Sequence, residues 1–295
     1  MGTSPQALVP LVCQAVASPH TRRTYSRALR EFLEHSDGQS PLSRETVLAH
    51  LSRMRAAERS PATMNQHLTA IKLLAREARE RGCLDHTTTE SILSVRGVRQ
   101  LGVRTGRWLS RIDAQRLINA PEDGTPQGLR DRALLAILVG CGLRRAEAAA
   151  VQIEQLQQRE NRWLLVDLVG KGMRVRTVPV PGWAYRRISA WLDAAAIVEG
   201  PILRPVNKGG RSNGRGMTDA GVWWVVRKYA RELDLDVAPH NLRRTFATLA
   251  SKGGAPTRQI QKALGHSSEA TTERYLGDGL DLENAACDYT GLVEG

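Results

Sequence analysis

Cysteine is scarce in this chain, and the spacing of the few that occur excludes two common architectures. The 295 residues include four cysteines, Cys13, Cys83, Cys141 and Cys287, which lie far apart. A structural zinc site needs closely spaced ligands, and a small disulfide-stabilised domain needs a dense cysteine framework. The sequence therefore predicts neither, and it is typical of a protein from a reducing cytoplasm.

Long apolar segments and cofactor motifs are also missing. No run of about 18 apolar residues is present that could cross a membrane, and the N-terminus lacks the charged-then-apolar order of a signal peptide. The sequence contains neither a Walker-type phosphate-binding loop nor a cluster of carboxylate, Cys and His residues with metal-ligand spacing. We therefore expect a soluble cytoplasmic protein without a cofactor, a metal or a membrane partner.

Lysine is rare as well, although the chain is strongly basic. The 42 basic and 30 acidic residues give a net charge of +12, and only six of the 42 are Lys, so the other 36 are Arg. The guanidinium group presents a planar fork of donors that suits phosphate oxygens. The excess of Arg predicts a nucleic-acid partner, although a basic chain alone does not define a function.

Residues 1–97 are predicted to form a helical domain. Ser43 and the pair Ser60-Pro61 are helix start signals, because Ser accepts hydrogen bonds from free amides and Pro is tolerated in the first turn. Polar stripes at helical spacing on two of the helices could follow a DNA backbone or could simply face solvent. These DNA-binding candidates are Arg23, Arg27 and Arg30 on the first helix and Asn65, Thr69, Lys72, Arg76 and Arg79 on the third.

Residues 98–107 are rich in Gly and Arg and predict a linker, and residues 108–295 predict a second domain. There, an apolar helix ends at Gly140 and Gly142, and a further helix is predicted from about 144 to 156. Apolar segments on both sides of Gly170-Lys171-Gly172 predict a β-hairpin, followed by more helices from about residue 181. The predicted fold class is therefore mainly α with a small antiparallel sheet.

The second domain contains a set of residues suited to phosphoryl transfer. Only two of the seven histidines lie there, and one of them, His240, is three residues before Arg243, which puts both on one helical face. Fixed cationic and imidazole donors stabilise the charge that a phosphodiester gains under attack. The complete set is Arg144, Lys171, His240, Arg243, His266 and Tyr275, of which Tyr275 could serve as nucleophile.

Four segments in this order resemble the tyrosine recombinase family, which is also called the phage integrase family, and particularly its compact Xer-type members. The segments are Gly-Leu-Arg-Arg-Ala-Glu at 142–147, Gly-Lys-Gly at 170–172 with Arg-Thr-Val-Pro at 176–179, His-Asn-Leu-Arg-Arg-Thr at 240–245, and Leu-Gly-His-Ser-Ser at 264–268 leading to Glu-Arg-Tyr-Leu at 273–276. By pattern, residues 16–95 also look like the helical core-binding domain of that family, which has a SAM-like fold.

The resemblance implies a role for each site residue. Arg144 and Arg243 would hold the scissile phosphate with His266, and Lys171 would protonate the departing 5′ oxygen. His240 would assist proton movement at the hydroxyl of Tyr275, which would form a 3′-phosphotyrosyl bond. The implied function is site-specific DNA integration, excision or resolution by a homotetramer on two double-stranded DNA sites, with unknown accessory proteins.

Several alternatives stay open on the sequence. Tyr289 is a second candidate for the nucleophile, and Arg145 competes with Arg144 for the first arginine position. The last 19 residues could pack on their own domain or dock on a neighbouring subunit. A type IB topoisomerase would use related chemistry without pairing two DNA sites, and a catalytically idle DNA-binding accessory protein would use the same basic surface.

Overall fold

The computed structural model of the protein describes residues 5–35, 42–99, 107–170, 174–266 and 268–276. The described residues form two compact units that divide between residues 102 and 103. Of the predicted linker at 98–107, positions 100–106 lie outside the described residues. None of the helices described is both long enough and apolar enough to cross a membrane.

In the residues that the structure describes, the first unit has five helices around an apolar core. They are α1 (Pro5–Gln14), α2 (Pro19–His35), α3 (Arg44–Ala56), α4 (Pro61–Glu80) and α5 (His86–Leu93). The start signals predicted from the sequence are confirmed, since Ser43 caps the Thr46 amide and Ser60 caps the Thr63 amide. The helices α1 and α5 were not predicted, because both are short and α1 has only two buried side chains, Leu8 and Val12.

Part of the polar stripe on α4 serves the protein itself. The Asn65 side chain donates to the Val98 carbonyl at 2.9 Å and accepts from the Val98 amide at 2.7 Å. The Lys72 ammonium donates to the carbonyls of Leu93 and Val95 at 2.6 and 2.7 Å. These two DNA-binding candidates are therefore used to fasten the chain after α5 to α4.

A pair of histidines is buried in the core of the first unit. His50 on α3 and His67 on α4 are 1% and 7% exposed, and their ring nitrogens lie 3.1 Å apart. Burial, followed by the charge of His67, lowers the pKa of His50 to about 4. The remaining charged and titratable groups that act on the pair are Glu31, His35, Arg53, Arg59 and Arg27.

We expect this pair to make the protein acid-labile. Because the pKa of His50 is lower in the folded state than in the unfolded state, the unfolded chain binds more protons, and stability falls as the pH drops from about 6.5 toward 4. Between pH 7.5 and pH 5, the wild-type protein should lose about 2 kcal/mol more unfolding free energy than His50→Gln in urea denaturation. The variant His86→Gln, which changes an exposed histidine, should behave like the wild type. Equal losses in the wild type and His50→Gln would contradict the expectation.

The second unit surrounds one central helix. Helix α7 (Pro126–Gly140) is covered on all sides, and its residues 133–138 are each 0% exposed. The other helices of this unit are α6 (Arg111–Asn119), α8 (Arg145–Ala150), α9 (Gly182–Ala194), α10 (Asp219–Glu232), α11 (Pro239–Lys252), α12 (Thr257–Leu264) and α13 (Glu269–Leu276).

A small antiparallel sheet lies between α8 and α9 in the chain. Its strands are β1 (Leu156–Arg159), β2 (Arg162–Val169) and β3 (Val175–Val180), in the order β1-β2-β3. The predicted hairpin is confirmed as β2 and β3, which pair antiparallel with Leu165 opposite Val178. The mainly α fold class with a small antiparallel sheet is also confirmed.

The helix predicted from 144 to 156 is wrong in its second half. Helix α8 ends at Ala150, and Val151 is extended with ψ of 134°. The Val151 carbonyl accepts from the Ile202 amide, and Gln152 forms a β-bridge with Pro201. These contacts with a distant loop override the helix preference of the Ala-rich run, and the chain continues through a 3₁₀ turn into β1.

Candidate active site

Arg144 lies where the chain leaves α7 and enters α8. Between the helices Gly142 has φ of +62°, and a Cβ there would lie 2.5 Å from the Phe246 ring, so only glycine fits this close approach. Arg144 is the N-cap residue of α8, with one third of its side chain exposed. The Gly-terminated helix thus presents the first predicted arginine at the surface.

Glu147 in the first turn of α8 binds two of the arginines. Its carboxylate accepts from the Arg144 amide at 2.8 Å and from Arg144 Nη1 at 2.7 Å. It also accepts from Arg176 Nη1 at 3.0 Å and Nη2 at 2.7 Å, a bidentate pair. Burial acts to raise the pKa of Glu147, but the hydrogen bonds from Arg176 and Arg144 outweigh it and lower the pKa to about 2. Glu147 is therefore an ionised anchor for the cluster at all physiological pH values.

Arg243 on α11 is the third arginine of this cluster and is only 2% exposed. Its Nη1 donates to the Gly142 carbonyl at 2.7 Å, and its Nη2 donates to the Leu264 carbonyl. Nη1 also lies 3.8 Å from Glu147 Oε2. The side chain is thus fixed by the ends of two other helices, which holds the guanidinium in one orientation.

Arg176, on β3, fastens the end of α12 to this cluster. Its Nε donates to the Ala263 carbonyl at 2.9 Å, and a Cβ on Gly265 would lie 2.8 Å from Arg176 Cδ. No role was predicted from the sequence for Arg176 or Glu147. Both stand within the matched segments, and Glu147 follows the helix N-cap by three residues, which is the position of the acidic partner in a capping box.

His266 follows α12 directly. Gly265 ends that helix in the left-handed conformation, with φ of 62°, and thereby turns the chain toward α13. His266 Nδ1 lies 3.0 Å from the hydroxyl of Thr272, which is fully buried in α13. Burial and the charges of Arg243 and the two other clustered arginines lower the pKa of His266 to about 4, so the ring is neutral at pH 7.

His240 lies in the first turn of α11, one helical turn before Arg243. His240 is partly exposed. Burial of the rest of its ring, followed by the charge of Arg243, lowers the pKa of His240 below the usual value. A neutral imidazole can accept a proton, whereas an imidazolium cannot. His240 therefore has the protonation state of a general base at neutral pH.

A cavity of about 430 Å³ brings three of the predicted residues together. Arg144, His240 and Arg243 line it, along with Arg145, Trp223 and Asp219. The three arginines that line it are each held by hydrogen bonds to the protein, so the cavity presents fixed cationic donors. Among the residues that the structure describes, no three His, Cys, Asp or Glu side chains are grouped so that they could hold a metal ion.

The other three predicted residues, His266, Lys171 and Tyr275, are not among the described residues that line this cavity. Lys171 lies outside the described residues, although the flanking Gly170 and Arg174 close the β2–β3 hairpin with a 2.7 Å hydrogen bond. Tyr275 is in α13, which packs against α11 and α12. The helix of Tyr275 is therefore a direct neighbour of the helix that carries His240 and Arg243. The rival Tyr289 and the C-terminal segment from Gly277 also lie outside the described residues.

The basic stripe on α2 borders a separate groove in the first unit. Arg23, Arg27 and Arg30 are exposed and line a depression of about 890 Å³ between α1 and α2. On α4, Thr69 and Arg76 are exposed, and Arg79 lies 3.7 Å from Glu90. The α2 stripe is therefore an accessible cationic surface, unlike Asn65 and Lys72.

Comparison with known proteins defines the class. The model of the phage integrase family matches residues 107–278. The chain belongs to this family, and it is a tyrosine recombinase, as its four sequence segments predicted.

Among its relatives, the chain is most informatively compared with Xer recombinases. It is 30% identical to tyrosine recombinase XerD of Pseudomonas aeruginosa, over 87% of this chain and 86% of the relative. It is 32% identical to tyrosine recombinase XerC of Mycobacterium leprae, over 88% of each chain. The predicted resemblance to Xer-type members is thereby confirmed.

Solved structures share the fold. The crystal structure of the XerH site-specific recombinase on palindromic difH substrate, a post-cleavage complex, matches with a TM-score of 0.70 and 21% identity over 92% of this chain and 80% of that one. A lambda integrase dimer bound to a core site matches with a TM-score of 0.68 and 14% identity, over 93% and 77%.

Proposed function

We propose that this chain cuts and rejoins DNA strands at specific sites through a covalent bond between Tyr275 and a 3′ phosphate. The observation that carries the proposal is the arginine cluster, in which Glu147 holds Arg144 and Arg176 beside the buried Arg243. Fixed guanidinium groups stabilise the charge that develops on a phosphorus under attack more than they stabilise the ground state. Membership of the tyrosine recombinase family supports the same chemistry.

The proposed cleavage step exchanges one phosphorus–oxygen bond for another and moves two protons. The Tyr275 oxygen attacks phosphorus, a phosphorus–oxygen bond to tyrosine forms, and the bond to the 5′ oxygen breaks. His240 takes the tyrosine proton, and Lys171 gives a proton to the leaving 5′ oxygen. Arg144, Arg243 and His266 contact the non-bridging oxygens. Because the phosphotyrosine conserves the bond energy, a 5′ hydroxyl from a second strand can reverse the step without a cofactor.

We propose different roles for the two units. We assign the catalytic role to residues 108–295 and DNA binding through a core-binding domain to residues 1–97. The exposed arginines Arg23, Arg27 and Arg30 support backbone contacts on the first unit, and Thr69, Arg76 and Arg79 are further candidates. Strand exchange requires partners, so we propose a homotetramer that holds two DNA sites and acts in the cytoplasm on chromosomal or mobile DNA.

A nicked duplex tests the proposal. DNA that flanks the encoding locus, with a nick placed so that the cleaved strand loses its short 5′-hydroxyl fragment, should trap a covalent protein–DNA adduct that survives denaturation, with or without EDTA. If no adduct forms, or if EDTA stops cleavage, the proposal is contradicted. Relaxation of any supercoiled plasmid by a monomer would instead favour a type IB topoisomerase, and binding without cleavage would favour an idle accessory protein.

Arg243→Ala is expected to lose cleavage far more than binding. Removing one fixed donor to the developing charge should lower the cleavage rate by about 10³-fold, while DNA affinity falls by no more than about tenfold. The measurement is single-turnover cleavage on the nicked duplex beside equilibrium binding, with Arg243→Lys as the charge-retaining comparison. Equal losses in rate and affinity would argue against a role in the transition state.

A further inference from the structure

Arg145 lies beside the predicted phosphate site but belongs to neither the Glu147 cluster nor the predicted catalytic set. It lines the same cavity as Arg144, His240 and Arg243. Its Nη2 donates to Asp219 Oδ2 at 2.7 Å, and its Nε pairs with the other carboxylate oxygen. The side chains of Arg145 and Asp219 are 41% and 45% exposed, whereas that of Arg243 is 2% exposed. This ion pair therefore stands at the open side of the cavity.

The guanidinium of Arg145 retains donors for an anion. An arginine carries five N–H groups in a fixed fork, and Asp219 takes the edge formed by Nε and Nη2. In the part of the chain that the structure describes, Arg145 Nη1 donates to no other group. Asp219 thus holds one edge of the fork while the other edge remains available.

The cavity has room for a group much larger than a water molecule. Its volume is about 430 Å³, whereas a water molecule in the liquid occupies about 30 Å³. The aromatic ring of Trp223, one helical turn after Asp219 on α10, forms part of the wall. A cationic cavity with one apolar side matches a stretch of sugar and phosphate better than it matches an isolated anion.

We propose that Arg145 is a second backbone contact of the active site, which binds the DNA phosphate next to the one held by Arg144 and Arg243. The proposal rests on the proposed function, since it takes the cavity to be the site of the cleaved phosphate. Arg145 contributes a contact that binds the strand and takes no part in bond making. Loss of the Arg145 side chain should therefore weaken DNA binding and reduce the dependence of DNA binding on salt. The rate of cleavage of bound DNA should stay within about threefold of the wild type.

The test measures how DNA binding depends on salt. Each phosphate contact that is lost lowers the slope of log affinity against log salt by about 0.9, whatever the DNA sequence. Arg145→Ala in the Tyr275→Phe background should bind a short duplex of arbitrary sequence about tenfold more weakly near physiological salt, with a slope smaller by about 0.9. Arg145→Lys retains the charge and should keep most of the slope. The rate of cleavage of bound DNA is measured with Tyr275 intact, on the nicked duplex.

Arg116→Ala is the matched control. Arg116 also pairs with an aspartate, Asp113 at 3.1 Å, and its side chain is 52% exposed, but it does not line the cavity. The inference is overturned if Arg145→Ala keeps the full slope, if both variants lower the slope equally, or if Arg145→Ala slows cleavage of bound DNA as strongly as Arg243→Ala. If the parent protein binds no duplex at all, the proposed function itself fails, and the two failures are thereby distinguished.

Discussion

Tyr275→Phe is expected to abolish the covalent protein–DNA product and to leave DNA binding within about twofold of the wild type. The substitution removes one oxygen, and phenylalanine has no group that can attack phosphorus. Loss of a nucleophile typically lowers the rate by 10⁴-fold or more, so no adduct should be detectable on the nicked duplex. The proposed phosphate contacts of Arg144 and Arg243 do not depend on this hydroxyl, and affinity should persist.

The comparison variant is Tyr185→Phe, which removes a hydroxyl from a tyrosine stacked on Trp163 in the same unit, at a centroid distance of 3.9 Å. It should form the adduct at the wild-type rate. The assignment of Tyr275 would be contradicted if Tyr275→Phe still became attached to DNA. A loss of binding that matched the loss of adduct would also contradict it, because the tyrosine would then be needed for affinity rather than for chemistry.

Glu147→Gln is expected to have the largest effect on stability. Its carboxylate accepts four hydrogen bonds from Arg144 and Arg176, and its side chain is 6% exposed. Breaking a buried ion pair by removing one partner costs about 3–5 kcal/mol, because the remaining charges are left uncompensated. Here three guanidinium groups would lose their common anion. We expect unfolding free energy to fall by about 3 kcal/mol and cleavage to fall by about 10²-fold, since small displacements of positioning groups are costly in rate.

Glu154→Gln provides the control. Glu154 is exposed, and its side chain accepts a hydrogen bond from the Gly200 amide at 2.8 Å, which a glutamine oxygen can also accept. The unfolding free energy of the Glu154→Gln variant should differ from that of the wild type by less than about 0.5 kcal/mol. Urea denaturation and single-turnover cleavage are the two measurements. Wild-type values of both in Glu147→Gln would show that the carboxylate does not organise the arginines.

The stability contribution of Glu147 also has a defined pH range. Its pKa is lowered from 4.5 to about 2 in the folded protein. A lowered carboxyl pKa contributes stability above the unfolded value, and this contribution is lost as the pH falls from about 4.5 toward 2. Most of this range lies below the one in which the buried His50 acts, so the two losses should be separable in a pH series.

Local chemistry made much of the fold predictable. Ser43 and Ser60-Pro61 marked helix starts because capping depends on residues within one turn. Gly142 marked the end of α7 because a left-handed residue is needed there. The hairpin around Gly170 was predictable from apolar segments on both sides of a glycine-rich turn. The catalytic candidates followed from a family resemblance spread over four segments, and no single one of these residues would have been convincing alone.

The contacts that could not be predicted join residues far apart in the chain. Glu147 and Arg176 are 29 residues apart, and no local sequence pattern predicts that these two residues form an ion pair. The end of α8 depends on pairing with residues 201 and 202, so an Ala-rich run alone suggested too long a helix. A polar stripe has the same spacing whether it faces DNA, water or the protein backbone, which is why Asn65 and Lys72 were not distinguished from Arg76.

The most direct measurement is to identify the amino acid and the DNA end joined in the trapped adduct. After nuclease and protease digestion, mass spectrometry of the adduct should find a nucleotide on the peptide that contains Tyr275, attached through a 3′ phosphate. A nucleotide on Tyr289 or on a serine, or attachment through a 5′ phosphate, would contradict the proposed mechanism.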